Sequence, residues 1–132
     1  LRPRPDLAVD AAYVTSHLND PEVAVLDARS EDRFRGENET LDPVAGHIPG
    51  ALNRFFRQNL DANGRFKAPE MLRQEISALL GDRDSRDAVH QCGSGVTACH
   101  NLLAMEHAGL TGSRLYAGSW SEWVSDPARP VA

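Results

Sequence analysis

Cysteine and long apolar runs are both scarce in this sequence of 132 residues. The two cysteines, Cys92 and Cys99, are too few for a disulfide scaffold and lack the CxxC spacing of a redox pair or a zinc half-site. No apolar run approaches the ~20 residues that a membrane-spanning helix needs, and residues 1–6 lack the apolar core of a signal peptide. We therefore expect a soluble, cytoplasmic protein without membrane contact, in which a chemically active cysteine acts as a thiol.

Lysine is also scarce, since Lys67 is the one lysine among 14 basic residues. With 19 acidic residues the formal net charge is −5, which argues against nucleic acid as a partner because such proteins usually concentrate positive charge. Arginine binds planar carboxylates and sulfur or phosphorus oxyanions bidentately, although an arginine excess also arises from genome composition. A chain of this length, 41% hydrophobic and 25% charged, is typical of one globular domain.

Apolar segments of strand length and of helix length alternate along the chain. The predicted elements are a helix capped by Asp10, a strand at 23–27, a long loop at 28–50, a short strand at 51–53, a helix from Pro69 to Gly81, a strand at 88–91, a Gly-rich turn, a helix from about Ala98 to His107, a strand at 114–116 and a helical turn capped by Ser119. This order predicts an α/β domain with a doubly wound, mainly parallel sheet. In such sheets the functional site lies at the carboxyl ends of the strands.

Cys92 directly follows the predicted strand at 88–91 and precedes a Gly-rich turn and a helix. This arrangement places the sulfur near outward-facing backbone N–H groups at the positive end of the helix dipole, where an anion is stabilised and the nucleophilic thiolate is favoured. The residues expected to form this anion cradle are Gly93, Ser94, Gly95, Val96 and Thr97. We predict that Cys92 is a nucleophile.

The segment from Ala88 to Met105 contains no formally charged side chain apart from any protonated histidine. Charged recognition must therefore come from elsewhere, and the long loop at 28–50 contains several arginines. A cysteine phosphatase loop requires an arginine six positions after the cysteine, where this chain has Ala98. Phosphoryl transfer is therefore disfavoured.

Several motifs resemble the rhodanese superfamily. The segment CGSGVTA at 92–98 is similar to the active-site loop of the mercaptopyruvate sulfurtransferases. The segments GHIPGA at 46–51 and YAGSWSEW at 116–123 are similar to the N-terminal and C-terminal signatures of the superfamily. The segments DAR at 27–29 and RFRG at 33–36 are similar to the catalytic domain of the tandem enzymes. The motifs occur in the correct order, and the resemblance extends over about residues 10–128.

The resemblance implies a rhodanese-like fold, with a five-stranded, mainly parallel sheet and helices on both faces. It also implies a double displacement in which Cys92 takes a sulfur from 3-mercaptopyruvate or thiosulfate and passes it to cyanide or a thiol, without a cofactor or metal. Ser94 matches a loop serine implicated in this chemistry, and Arg33 matches an arginine that holds the donor carboxylate. Thiosulfate-specialised members carry a cation where this chain has Gly93, which favours mercaptopyruvate.

The chain departs from the family pattern in two ways. The second substrate arginine that normally precedes the HIPG motif is missing from residues 38–44, and Arg54 or Arg57 is the candidate replacement. The matching enzymes are tandem, so residues 1–132 are expected to form a single catalytic domain whose N-terminal rhodanese-like partner is absent from this chain. Two alternatives are a non-catalytic binding or regulatory rhodanese-like domain, which usually lacks the cysteine, and a phosphatase or arsenate reductase of the same fold, which Ala98 opposes.

Other conspicuous side chains are expected to have structural roles. Cys99, Trp120 and Trp123 are expected to pack in the core, and His47 is expected to hold the long loop through a hydrogen bond. His90 and His100 are not expected to bind a metal ion. Arg29 and Arg35 are expected to be solvated or to pair with nearby acidic residues. Arg33 is then the arginine of the long loop that is assigned to the site.

Overall fold

Five parallel strands form one sheet in the computed structural model, which describes residues 8–18, 20–39, 44–93 and 96–132. The strands are β1 (Ala8–Val9), β2 (Ala24–Asp27), β3 (Leu52–Asn53), β4 (Ala88–Gln91) and β5 (Arg114–Tyr116), and the α-helices are α1 (Ala11–Ser16), α2 (Glu31–Phe34), α3 (Pro69–Leu80), α4 (Val96–His107) and α5 (Ser119–Trp123). Short 3₁₀ helices occur at Phe56–Asn59 and Ser85–Asp87. The predicted α/β class is confirmed.

The strand order is β1-β5-β4-β2-β3, so β4 lies at the centre between β5 and β2. From β2 the chain continues to β3 on one side, and from β4 it continues to β5 on the other. The carboxyl ends of β2 and β4, where Asp27 is in register with Gln91, therefore form the topological switch point. Ligands of open α/β sheets bind in the crevice at such a point.

Alternating residues of the central strands face two separate cores. Val25 and Val89 pack with residues of α1 and α5 on one face, and Ala24 and Ala88 pack with residues of α3 and α4 on the other. Helices therefore cover both faces, as the doubly wound prediction requires. Both faces of β2 and β4 are buried, which explains the apolar residues at positions 24–26 of β2 and Ala88 and Val89 of β4; the polar residues that end the two strands are buried as well.

The helix ends follow local sequence signals. The Asp10 carboxylate accepts a hydrogen bond from the Tyr13 N–H and caps α1, and Pro69 occupies the first position of α3, which ends at Gly81 with φ +65°. α4 begins at Val96, two residues earlier than predicted. None of the helices in the described ranges has both the length and the apolar character that crossing a bilayer requires.

The last residue of the chain pairs with the loop that precedes β3. The backbone N–H of Ala132 donates to the His47 carbonyl at 2.9 Å, and the His47 N–H donates to the Ala132 carbonyl at 3.3 Å. This approach requires glycine at position 46, because φ is +122° and a Cβ there would lie 2.5 Å from the Ala132 oxygen. The His47 ring also stacks on Phe34 and contacts its carbonyl at 2.7 Å, the structural hydrogen bond expected for it.

Candidate active site

Cys92 lies at the switch point of the sheet, immediately after β4, and is 1% exposed. Its side chain packs with Ala28, which follows β2, and with Ala98 in the first turn of α4. The position six residues after the cysteine is thus a fully buried alanine. The thiol has apolar neighbours and lies close in sequence to the N-terminus of a 12-residue helix, whose dipole favours a negative charge.

The first turn of α5 holds the backbone of Cys92 and Gly93. The Trp120 N–H donates to the Cys92 carbonyl and the Ser121 N–H to the Gly93 carbonyl, both at 2.9 Å. The buried Ser119 hydroxyl accepts from the Cys92 N–H at 3.0 Å and donates to the Tyr116 carbonyl at 2.9 Å. The Ser119 cap prediction is wrong, because its hydroxyl bonds to these two strand ends and not to its own helix.

Arg33 brings positive charge to the loop that follows Cys92. Its guanidinium Nη2 lies 3.5 Å from the position that a Cβ on Gly93 would occupy, and Nη1 lies 3.8 Å from it. The short helix α2 carries Arg33. Asp32 organises this helix through hydrogen bonds from Ser30, from Asn38 and from the Arg33 N–H, which lower the pKa of Asp32 to about 2.

Arg29 and Asp27 form a buried ion pair at the end of β2. The Arg29 Nε and Nη2 donate to the Asp27 carboxylate at 2.7–3.1 Å, and Nη2 also donates to the Gly46 carbonyl at 2.7 Å. The Arg29 guanidinium stacks over Trp120 with its carbon 4.8 Å from the ring centroid. Arg29 is therefore not solvated: its main partner is the strand residue Asp27, and Glu39, one of the nearby acidic partners expected for it, lies 3.6 Å away.

Glu39 also belongs to this cluster, where it contacts Arg33 as well as Arg29; from the sequence it was expected only as one of several acidic partners of Arg29 and Arg35. Its side chain is 4% exposed, and its Oε2 lies 3.2 Å from Arg33 Nη2. Its Oε1 lies 3.6 Å from Arg29 Nη1. A buried acid requires a cationic partner, so Asp27 at the end of an apolar strand was the sequence signal for such a cluster.

The two candidate replacement arginines have different environments. The Arg54 side chain is 8% exposed and donates to Glu75 at 2.9 Å, to the Asn59 side chain at 3.1 Å and to the Gln58 carbonyl at 3.1 Å. These contacts give Arg54 a role inside the fold, and its assignment to a donor stays a prediction. Arg57 is exposed on the 3₁₀ helix Phe56–Asn59 and also stays a prediction.

The predicted anion cradle is described only at its two ends. Gly93 follows Cys92, and α4 starts at Val96 with Thr97 partly buried. Ser94 and Gly95 lie outside the described residues. Cys99, expected in the core, is exposed on α4, so that expectation is wrong.

The remaining candidates are part of the fold. Trp120 and Trp123 are fully buried, as expected, and their indole N–H groups donate to the Val44 and Pro130 carbonyls. His90 is fully buried in β4, where burial lowers its pKa to about 3 and keeps the ring neutral. Within the described ranges, no group of three His, Cys, Asp or Glu side chains is arranged to hold a metal ion.

Replacing Ser119 by Ala is expected to lower the free energy of unfolding by about 1–3 kcal/mol, because the buried Cys92 N–H loses its acceptor. Urea denaturation of the variant and the parent chain measures this. Ser125→Ala is the control, since that hydroxyl is exposed just beyond α5 and its loss is expected to change stability by less than about 0.5 kcal/mol. Equal stability of the two variants would show that the Ser119 hydroxyl does not hold the Cys92 backbone.

These features define a doubly wound α/β domain that presents a thiol and an arginine at the switch point of its sheet. Comparison with known families identifies which domain this is. Residues 10–126 match the Rhodanese-like domain family, and the chain belongs to it.

The relatives of this chain include proteins named for sulfur transfer. Over 131 residues the chain is 56% identical to a Pseudomonas aeruginosa protein named "Probable 3-mercaptopyruvate sulfurtransferase", covering 99% of this chain and 46% of that protein. It is 40% identical over 119 residues to the Homo sapiens 3-mercaptopyruvate sulfurtransferase, covering 89% and 39% respectively. The crystal structure of Tum1 from Saccharomyces cerevisiae superposes with a TM-score of 0.78 at 27% identity, covering 96% of this chain and 46% of that one. The chain thus spans less than half the length of these proteins.

Proposed function

We propose that this chain is a sulfurtransferase domain in which Cys92 accepts a sulfur atom from a small anionic donor and passes it to a thiol or to cyanide. The observation that carries the proposal is the Arg33 guanidinium lying against Gly93, the residue next to Cys92. A thiol nucleophile and a carboxylate-binding cation are the two groups that such a donor requires. The names of the relatives support the same reaction class.

In the first half-reaction the Cys92 thiolate attacks the sulfur of 3-mercaptopyruvate. A sulfur–sulfur bond forms as the donor carbon–sulfur bond breaks, and the bonding electron pair leaves with the carbon as the enolate of pyruvate. The proton of the former donor thiol moves to that carbon, so the products are pyruvate and a Cys92 persulfide anion. With thiosulfate, the donor sulfur–sulfur bond breaks instead and sulfite leaves with the electron pair.

In the second half-reaction an acceptor attacks the outer sulfur of the persulfide. Cyanide forms thiocyanate and a thiol forms its own persulfide, while the electron pair of the broken bond returns to Cys92 as a thiolate. The anion cradle proposed for residues 93–97, with Ser94 as the assisting hydroxyl, stabilises the charge in both states. The α4 dipole and the apolar contacts with Ala28 and Ala98 favour the same role, because fixed dipoles act more strongly where water is excluded.

A carboxylate-bearing donor fits the charge distribution best. Gly93 leaves the loop neutral beside the cysteine, so the cation nearest this part of the loop among the described groups is Arg33. Guanidinium groups bind carboxylates and sulfur oxyanions bidentately, so the preference between the two donors rests on Gly93, which stands where thiosulfate-specialised members of the family carry a cation. We therefore propose 3-mercaptopyruvate as the favoured donor and thiosulfate as a second one, with Arg57 as an additional candidate contact.

We also propose that this domain is the catalytic half of a longer, two-domain enzyme. The coverage of the relatives, 46% and 39% of their lengths, supports this. So does the resemblance of the motifs at 27–29 and 33–36 to the catalytic domain of tandem enzymes.

Incubation of the chain with 3-mercaptopyruvate is expected to add the mass of one sulfur atom, and cyanide is expected to remove it with release of thiocyanate. Intact-protein mass spectrometry and a colorimetric thiocyanate assay measure the two steps. Cys99→Ser is the matched control, since it removes the exposed thiol and is expected to leave sulfur uptake unchanged. A chain that takes up no sulfur from either 3-mercaptopyruvate or thiosulfate would contradict the proposal.

A further inference from the structure

We infer that Glu39 is a positioning residue that holds Arg33 so that its guanidinium faces the active-site loop at Gly93. The inference rests on the proposed function, in which Arg33 binds the donor carboxylate. It goes beyond that function because it assigns donor affinity to an acidic residue, whose charge would by itself repel an anionic donor.

Glu39 lies between two arginines with its carboxylate removed from solvent. The side chain is 4% exposed although it belongs to an acidic surface loop. Both of its oxygens lie within 3.4 Å of Arg33 Nη2, and Oε1 lies 3.6 Å from Arg29 Nη1. Glu39 therefore connects the two guanidinium groups.

Arg29 is fixed to the sheet and serves as the anchor of this connection. Two of its nitrogens bond to Asp27, the last residue of β2, and Nη2 also bonds to the Gly46 carbonyl. The fully buried Trp120 packs against its guanidinium face. The Glu39 carboxylate thus contacts the fixed guanidinium of Arg29 on one side and accepts hydrogen bonds from Arg33 on the other. The fixed position of Arg29 therefore restrains Arg33 through Glu39.

The Glu39 carboxylate contacts Arg33 from outside the helix that carries it. The Arg33 side chain is 22% exposed, and α2 is only four residues long. Both Glu39 oxygens accept from Nη2, at 3.2 and 3.4 Å, and Nη2 is also the nitrogen nearer to Gly93, 3.5 Å from the position of a Cβ there. The same edge of the guanidinium therefore lies between Glu39 and the active-site loop, so the position of Glu39 affects where that edge faces.

Among the described side chains of this cluster, the carboxylates of Asp27 and Glu39 contact the guanidinium groups of Arg29 and Arg33. Loss of the Glu39 charge removes the carboxylate that lies between the two cations. The more exposed Arg33 is the one expected to move, because Arg29 is held by Asp27. Movement of Arg33 away from Gly93 weakens donor binding but leaves Cys92 and its loop intact.

The test is steady-state kinetics with 3-mercaptopyruvate as donor and cyanide as acceptor. Glu39→Gln is expected to raise KM about tenfold and to leave kcat within about twofold, because Arg33 binds the donor less tightly while the nucleophile is untouched. Glu37→Gln is the matched control, since Glu37 pairs with Arg35 on the exposed side of the same loop and its replacement is expected to leave KM unchanged. In an Arg33→Ala background, Glu39→Gln is expected to have no further effect on KM.

The outcomes separate this inference from the proposed function. The positioning role is overturned if Glu39→Gln leaves KM unchanged or lowers it. It is also overturned if Glu39→Gln raises KM in the Arg33→Ala background as much as it does in the parent chain. Unchanged KM in Arg33→Ala overturns both the Arg33 assignment and this inference, while loss of sulfur uptake by the parent chain overturns the proposed function itself. If Glu39→Gln does not fold, Glu39→Asp replaces it, with an intermediate rise in KM expected and an unchanged KM counting against the inference.

Discussion

Replacing Cys92 by Ser is expected to abolish sulfur uptake and to lower the rate of thiocyanate formation by at least about a thousandfold. A serine hydroxyl stays protonated where a thiol ionises, and an oxygen nucleophile cannot form the persulfide that the second half-reaction consumes. The side chain is 1% exposed and packs with Ala28 and Ala98, so the serine hydroxyl also enters an apolar site. Mass spectrometry after donor incubation and the thiocyanate assay measure the loss.

The change at Cys92 requires a check that the fold survives. Thermal unfolding of Cys92→Ser and of Cys92→Ala shows whether each variant is folded at the assay temperature, and either folded variant suffices for the test. Cys99→Ser introduces the same chemical change seven residues later on the exposed side of α4, and its activity is expected to equal that of the parent chain. Persistent sulfur uptake in a folded Cys92 variant would assign the reaction to another group.

Replacing Arg54 by Met is expected to lower the free energy of unfolding by about 2–3 kcal/mol and to leave donor KM within about twofold. The change removes a buried cation and leaves the Asn59 side-chain oxygen and the Gln58 carbonyl without this donor. Burial alone would raise the pKa of Glu75, but hydrogen bonds from Lys67 and Arg54 outweigh burial and lower it. Lys67 remains beside Glu75 at 3.0 Å in the variant, which limits the expected loss.

Arg57→Ala is the matched control for Arg54, because it removes an exposed arginine three residues away. Its stability is expected to change by less than about 0.5 kcal/mol. Urea denaturation and donor kinetics on the same preparations separate the two roles of these arginines. A rise in donor KM with unchanged stability in Arg54→Met would instead make Arg54 the second donor cation.

Much of the fold could be predicted from local sequence. The helix from Pro69 to Leu80 and the strand from Ala88 to Gln91 follow from apolar periodicity, from Pro69 at the start of the helix and from Gly81 at its end. The short strand Ala8–Val9 was missed because two residues show no periodicity, and it exists only through its pairing with β5. A strand this short at the edge of a sheet therefore cannot be predicted until the strand beside it is known.

The length of α4 was predicted nearly correctly, but the core position expected for Cys99 on this helix was wrong. Leu103 is 56% exposed, and the buried positions include Ala98, Asn101 and Ala104. The Asn101 side chain donates to the Arg54 carbonyl and accepts from Asn59, so a polar residue is buried because its partners come from another segment. Cys99 is exposed because it lies on the opposite side of the helix from the buried residues Ala98, Asn101 and Ala104.

The sequence by itself determined the element order and the position of Cys92 between β4 and α4, because each depends on residues that are neighbours along the chain. Only the tertiary structure decided which charges meet there. Asp27, Arg29, Glu39 and Gly46 come together because β2 ends beside β4 and the long loop folds back over that end. Charge pairing inside a protein depends on burial and distance, and neither can be read from spacing in an irregular loop. The arginine that reaches Gly93 could therefore be proposed from a motif, but the acidic residue that holds it became visible only in the fold.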